Sequence, residues 1–369
     1  MGNPDMPTPK HITDKLIETA RDPKAGRYSA SKGVIGLRRA MAGYYERRFG
    51  VKLNPDTEVV ATLGSKEGFA NLAQAITAPG DVIVCPNPAY PIHAFGFIMA
   101  GGVIRHVPAL SPEEYLSGIS RAVKHSVPPP NVLIVSYPSN PTAQCVDLDF
   151  YKDAVALAKK HDMLIISDVA YGDIYFENNP PPSILQVDGA KDIAVEVNSL
   201  SKTYAMAGWR VGMVVGNERI CSALARVKSY LDYGAYLPIQ VAAAAALNGP
   251  QDCVDEIRGI YKSRRDVLIS SMSRAGWEID APPASMFAWA KVPEQFREAG
   301  SLLFSRLLVE EAGVAVAPGI GFGEYGEGYV RVGLVENEHR IRQAARNVKK
   351  FLADSDRILG KAHNAMAAQ

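Results

Sequence analysis

Seven short runs of apolar, largely β-branched residues recur along the chain, and they constrain the fold more than any other feature. They are "EVVATLG" (58–64), "VIVCP" (82–86), "VIRHV" (103–107), "NVLIVSYP" (131–138), "MLIISD" (163–168), "IAVEVNS" (193–199) and "GMVVG" (212–216). A strand with one wet face alternates apolar and polar residues, whereas these are nearly continuous, as a sheet buried on both faces requires. Between most of them lie stretches of helical period. In "DLDFYKDAVALAKKHD" (147–162), Phe150, Ala154, Leu157 and Ala158 fall on one face. Strands separated by helices predict an α/β fold. After about residue 265 the pattern changes. "WEIDAPPASMFAWAKV" reads as two strands, followed by a helix over 299–312, then "VAVAP", "YVRVGL" and a final helix to about 353. This order predicts a smaller α+β domain, with "ILGKAHNAMAAQ" as a frayed tail. The expected division is a large domain over 25–265 and a small one built from 1–24 and 266–369.

Composition narrows the function classes. The 369 residues suggest two domains at about 150 residues each. With 47% hydrophobic and 21% charged residues, the chain can bury a large core. A net charge of +1 gives no electrostatic reason to expect nucleic acid or an anionic membrane as partner. Cys85, Cys145, Cys221 and Cys253 are far apart and read as reduced thiols, not a disulfide frame or zinc site. The seven histidines are also scattered, which leaves metal catalysis little support. No apolar stretch approaches a membrane span and "MGNPDMPTPK" lacks a signal-peptide core, so the expected location is cytoplasmic.

Two motifs are decoys. "GFGEYG" (321–326) fits the dinucleotide pattern GxGxxG, but a strand follows it where that site needs a helix. It is expected to be a flexible loop. "SLSK" (199–202) fits the SxxK dyad of serine hydrolases, yet the SDN and KTG elements of that chemistry do not occur.

Lys202 is better explained by its neighbours. A lysine becomes a Schiff-base nucleophile when desolvation or nearby cations lower its pKa. This one follows the run "IAVEVNS", and open α/β sheets bind ligands at the carboxyl ends of their strands. Ser199, Ser201 and Arg210 bracket it, and two hydroxyls with a guanidinium can hold a phosphate dianion. A phosphorylated aldehyde bound to Lys202 would satisfy both observations. In "TLGSKEG" the amides of Ser65 and Lys66 open a helix and can face the same phosphate. Asp168 ends a strongly apolar strand. It is either a helix N-cap or the partner of a pyridinium N–H that keeps an electron-sink ring protonated. Tyr171 lies three residues on. Asn140, before a proline in "SYPSNPTA", is a turn residue or a further contact to the ring.

These segments together resemble the fold-type-I pyridoxal-phosphate aminotransferases of class I/II, over nearly the whole chain. "SLSKTYAMAGWRVG" is similar to the family's lysine segment, "YPSNPTA" to its Asn-Pro segment and "SDVAYGDI" to its D-x-x-Y segment. "YSASKGVIGLRRAMAGYY", "GNPDMPTP" and "YVRVGL" resemble three more, all in family order. The chain begins at "MGNPD", where the family usually has a further N-terminal arm.

The resemblance implies an aspartate-aminotransferase-like fold whose large domain holds a mostly parallel seven-stranded sheet between helices. It implies pyridoxal 5'-phosphate as cofactor, with Lys202 as Schiff-base lysine and then proton carrier. Asp168 would face the pyridine nitrogen, Tyr171 and Asn140 the ring hydroxyl, and Tyr90 the ring face. Ser65, Lys66, Ser199, Ser201 and Arg210 would hold the phosphate. Tyr28 would reach it from a partner subunit in a homodimer. Arg331, with Gly2 and Asn140, would bind the substrate α-carboxylate. "YPSNPTAQCVDLDFY", "VKSYLDYGAYLPIQVAAAAALNGP" and "APGIGFGEYGEGYVRVGL" look most like bacterial glutamate–pyruvate (alanine) aminotransferases. Aspartate, methionine and diaminopimelate aminotransferases, or a pyridoxal-phosphate lyase on the same fold, are the alternatives.

Overall fold

All seven apolar runs become strands of one sheet. They are β1 (Val59–Thr62), β2 (Val82–Asn87), β3 (Val103–Pro108), β4 (Val132–Ser136), β5 (Leu164–Asp168), β6 (Ala194–Ser199) and β7 (Gly212–Gly216). The computed structural model describes residues 2–367, with side chains described for 2–361. Met1 and the last two residues of the expected tail lie outside the described residues. The strand order is β1-β7-β6-β5-β4-β2-β3. Pairing is parallel except for β7, which runs antiparallel to both β1 and β6. Every residue of β1, β2, β6 and β7 is buried, as continuous apolar runs between two helical layers demand. β3, at the sheet edge, is mostly exposed.

The flanking helices follow their sequence signals. The Leu148–Lys160 helix starts where Asp147 Oδ1 accepts the Phe150 amide at 2.9 Å, a cap worth about 1 kcal/mol. Its Phe150, Ala154 and Ala158 are buried on the sheet. A second sheet carries β8 (Phe287–Lys291), β9 (Ala317–Pro318) and β10 (Tyr329–Gly333) in the antiparallel order β8-β10-β9. Val330 and Val332 face its core, so by the period of two Arg331 faces away from it. No helix among the described residues is long and apolar enough to cross a membrane.

Two expectations need correction. "WEIDAPPASMFAWAKV" gives one strand, not two. Pro282 and Pro283 carry no N–H for a ladder, and the stretch before β8 makes only an isolated bridge from Ala284 to Tyr175. The tail is not frayed from residue 358, because a helix spans Ser355–Ala367 and Ile358 is buried in the smaller core. The Lys10–Ala20 helix lays Ile12 into the core of the large sheet, beside Ala242 and Ala246 of the Leu237–Asn248 helix. The Asp252–Ala275 helix joins the two cores, with Val254 in the first and Ile257, Tyr261, Leu268 and Met272 in the second.

Glu196, in the middle of β6, is fully buried. Its carboxylate accepts from Tyr45 Oη at 2.9 Å, Ser183 Oγ at 2.8 Å, the Ile184 amide at 3.2 Å and Ser167 Oγ at 3.3 Å. Burial pushes the carboxyl up and these donors pull it back, leaving it at about 7 against an ordinary 4.5. A raised carboxyl pKa means that the folded state holds a proton the unfolded chain has released. The stability it contributes is complete below about pH 4.5 and is lost as pH rises through about 7, to the extent of about 3 kcal/mol. Thermal unfolding between pH 5 and pH 8 is therefore expected to show a downward slope that Glu196→Gln flattens. An unchanged slope in the variant would refute the assignment.

Candidate active site

β1, β2, β4, β5 and β6 end at one edge of the large sheet, and β7, running the other way, begins there. The expected site residues lie in the turns at that edge. At the end of β1, Gly64 takes a left-handed φ of +85° and the Ser65–Ile76 helix starts with no side-chain cap, leaving its first amides open. Arg210, itself left-handed at φ +56°, lays its guanidinium against Gly64, in the space a Cβ there would fill. Its Nη1 is held by the Ala207 carbonyl at 2.8 Å. At the end of β6, Ser199 Oγ accepts the Ser201 amide at 3.1 Å, so its hydroxyl proton remains free to donate outward. Gly212 of β7 packs so closely on Ser65 N that a side chain would part the two turns. The helix amides, two serine hydroxyls and Arg210, with Lys66 exposed beside them, form a donor set for a dianion.

Lys202 sits between this cup and the second sheet. Its Nζ donates to the Gly2 carbonyl at 3.0 Å. Burial first, and then the charges of Arg210 and Arg331, lower its pKa to about 8. Asp168 Oδ1 accepts the Ala170 amide at 3.1 Å, and His93 Nε2 lies 2.9 Å from Oδ2. No helix begins there, so the carboxylate holds a turn rather than capping a helix. Tyr171 Oη lies 3.5 Å from Asn140 Nδ2, while Asn140 Oδ1 accepts from Arg331 Nη1 at 2.6 Å. Burial raises the Tyr171 hydroxyl pKa, with Arg331 opposing, and burial lowers that of the Arg331 guanidinium.

Apart from Tyr28, every expected site residue lines one cavity of about 540 Å³, within the range of small-molecule sites. Tyr28 is 86% exposed, its ring tilted at 36° against Tyr233 with centroids 4.6 Å apart, and it does not reach this cavity. A dianion at the cup, a ring N–H toward Asp168 and a ring oxygen toward Tyr171 and Asn140 together fit what these groups offer.

Sequence reasoning missed two residues here. His93 is buried one helical turn after Tyr90, and that spacing in "YPIHAF" was the available signal. Phe287 closes the cavity from the second sheet, its ring against Gly2 and its edge toward Tyr171 with centroids 5.8 Å apart. Nothing local in the sequence marks it. The "GFGEYG" segment is also not a free loop. It forms two 3₁₀ turns, Gly319–Phe322 and Glu324–Gly326, hydrogen-bonded to the end of β2.

Residues 1–348 match the family described as aminotransferase class I and II. AatC of Rhizobium meliloti, named an aminotransferase, is 64% identical over 367 residues, 100% of this chain and 90% of that protein. The glutamate-pyruvate aminotransferase AlaC of Escherichia coli is 50% identical over 355 residues, 96% of this chain and 86% of that protein. An LL-diaminopimelate aminotransferase of Moorella thermoacetica is 38% identical over 352 residues, covering 95% and 90%. Among solved structures, apo-BacF of Bacillus subtilis superposes with a TM-score of 0.91 at 35% identity, covering 95% of this chain and 93% of that one.

Proposed function

The chain belongs to the class I and II aminotransferases and is a transaminase; on that premise we propose that it uses pyridoxal 5'-phosphate to move an amino group between L-alanine or L-glutamate and pyruvate or 2-oxoglutarate. The observation that carries this is one cavity holding an anion cup, a lysine of lowered pKa, a carboxylate and a single arginine at the far end.

When bound, the cofactor supplies an electron sink for charge developing at the substrate Cα. Ser65, Ser199, Ser201, Lys66 and Arg210 would hold its phosphate, and Tyr90 would cover the ring. Asp168 would keep the ring nitrogen protonated, oriented by His93 and the Ala170 amide. Lys202 Nζ, held near neutrality by burial and two guanidiniums, takes the Cα proton and returns it on the other side of the reaction. Arg331 and the Gly2–Asn140 pair bind the α-carboxylate. Amino donor and oxo acceptor then share one site in turn, with ping-pong kinetics.

Lys66 and Arg210 belong to the cup, so among the described residues lining the cavity Arg331 is the one arginine left for the substrate end. That supports a small side chain over strict aspartate use, as does the likeness to AlaC. The division into a large unit (25–265) and a small one (1–24 with 266–369) belongs to the same proposal. A homodimer is part of it too. Tyr28, Tyr230, Leu231, Tyr233 and Tyr236 are all exposed near one another, an apolar surface suited to a second copy that would bring Tyr28 to the neighbouring site. A cytoplasmic location is proposed from composition.

The test is a spectrum of the holoenzyme with and without L-alanine, alongside initial rates. Conversion of the aldehyde form to the amine form is expected, and a lyase would instead consume alanine with the aldehyde form restored. Much higher rates with aspartate, methionine or diaminopimelate would overturn the alanine reading. Arg331→Lys keeps the charge and loses the planar fork. It should lower kcat/KM about tenfold or more for alanine, glutamate and pyruvate alike. Loss confined to glutamate would move Arg331 to a side-chain role.

A further inference from the structure

The guanidinium of Arg331 packs against two aromatic rings. Its Cζ lies 4.0 Å from the ring centroid of Phe287 and 4.6 Å from that of Phe322. Phe287 comes from β8, beside Arg331 in the second sheet, but Phe322 comes from the "GFGEYG" segment. That segment is tied to the other sheet. The Phe322 carbonyl accepts the Ala89 amide at 2.9 Å, and the Tyr325 amide donates to Asn87 Oδ1 at 3.2 Å. Asn87 ends β2, three residues before Tyr90. Two of the three glycines that imitate a nucleotide motif serve this closure. Gly323, at φ +127°, has no room for a Cβ against the Asn87 amide, and Gly326 packs on the backbone of Gly319.

A guanidinium donates only in its own plane, through the N–H groups on its edge. One N–H on that edge is spent on Asn140. The two ring contacts restrict how that plane can turn, so the remaining N–H groups stay aimed for a bidentate pair with a carboxylate. We infer that Phe322 is a positioning residue for carboxylate recognition, fixing the plane of Arg331 and linking it to the strand end that carries Tyr90. This rests on the reading of Arg331 as the α-carboxylate clamp. Phe322 thereby sets affinity for every substrate through their common group, and leaves the proton transfer at Lys202 untouched.

The experiment compares Phe322→Leu, which keeps an apolar side chain but removes the flat face, with Phe322→Tyr, which restores the face. Phe322→Met is a second variant of the first kind. Readouts are KM and kcat for alanine, glutamate and pyruvate, and the Kd of propionate, which has no amino group to exchange, by calorimetry on the holoenzyme. Phe322→Leu and Phe322→Met should raise each KM and the propionate Kd roughly fivefold to tenfold, with kcat within about threefold of wild type. Phe322→Tyr should stay near wild type. Arg331→Lys is measured beside them. If it weakens propionate while Phe322→Leu and Phe322→Met do not, the clamp stands and the role of Phe322 is overturned. If Arg331→Lys leaves propionate binding intact, the clamp reading itself has failed. Loss of kcat with unchanged propionate affinity in the Phe322 variants would show mere packing against Trp289 and also overturn the inference.

Discussion

Lys202→Ala is expected to abolish turnover, a loss of at least about 10⁴-fold, because one nitrogen serves both as covalent attachment point and as proton carrier. No neighbour can replace it. A guanidinium is no proton acceptor in a protein, and Tyr171 is pushed toward its neutral form by burial. The anion cup does not include the lysine amine, so the variant should still bind pyridoxal phosphate reversibly. The same amine gives a pH signature in the wild type. Its pKa is lowered to about 8, so cofactor-free protein should take up the aldehyde faster as pH rises through about 8, where Nζ loses its proton. Steady-state rates with L-alanine and 2-oxoglutarate, and uptake rates followed by absorbance, check both. A variant with wild-type kcat would remove Lys202 from the mechanism.

Asp168→Asn should cost at least about a hundredfold in rate, or about 2.7 kcal/mol. The substitution keeps the shape and removes the charge opposite the ring nitrogen. It also unbalances the local hydrogen bonds. The Ala170 amide donates to one carboxylate oxygen and His93 faces the other, whereas an amide offers a single acceptor. His93 cannot relieve this by moving its proton, because its Nδ1 is buried with no hydrogen-bond partner among the described residues. Single-turnover rates with alanine separate this loss from any change in KM, and melting curves control for folding. Activity within twofold of wild type would leave Asp168 as a turn-holding residue only.

The large sheet was legible because most of its strands are buried on both faces and so carry their signal locally. The turns proposed to carry the active site were legible for a related reason. Serine, lysine, asparagine and aspartate stand directly after apolar runs, where a purely structural turn would rarely place so many together. The second sheet was harder to read. Its strands are short, β9 has two residues, and the Pro282–Pro283 pair ends a pattern that alternates like a strand. His93, Phe287 and Phe322 share another reason. Each owes its place to a partner far along the chain, at Asp168, Gly2 and Arg331 respectively, and no window of neighbouring residues contains that information. Tyr28 was chosen by likeness alone, and within one chain it meets only Tyr233 of that surface.

The antiparallel β7 has a bearing on how the protein is made. It is the last of the seven strands in the chain, yet it stands between β1, the first, and β6. A ribosome that has delivered everything up to β6 has released Ser65 and Ser199, but no strand pairing yet joins their turns, since β1 pairs with β7 alone. The cup comes into being only when a contact spanning about 150 residues closes, the kind of step that is slow because chain entropy is lost before any pairing is gained. Whatever anion fills the cup then binds the finished sheet and none of its precursors. By mass action it draws the nascent population toward completion. On the proposed function, cofactor supply would then act on the yield of folded protein as well as on its activity.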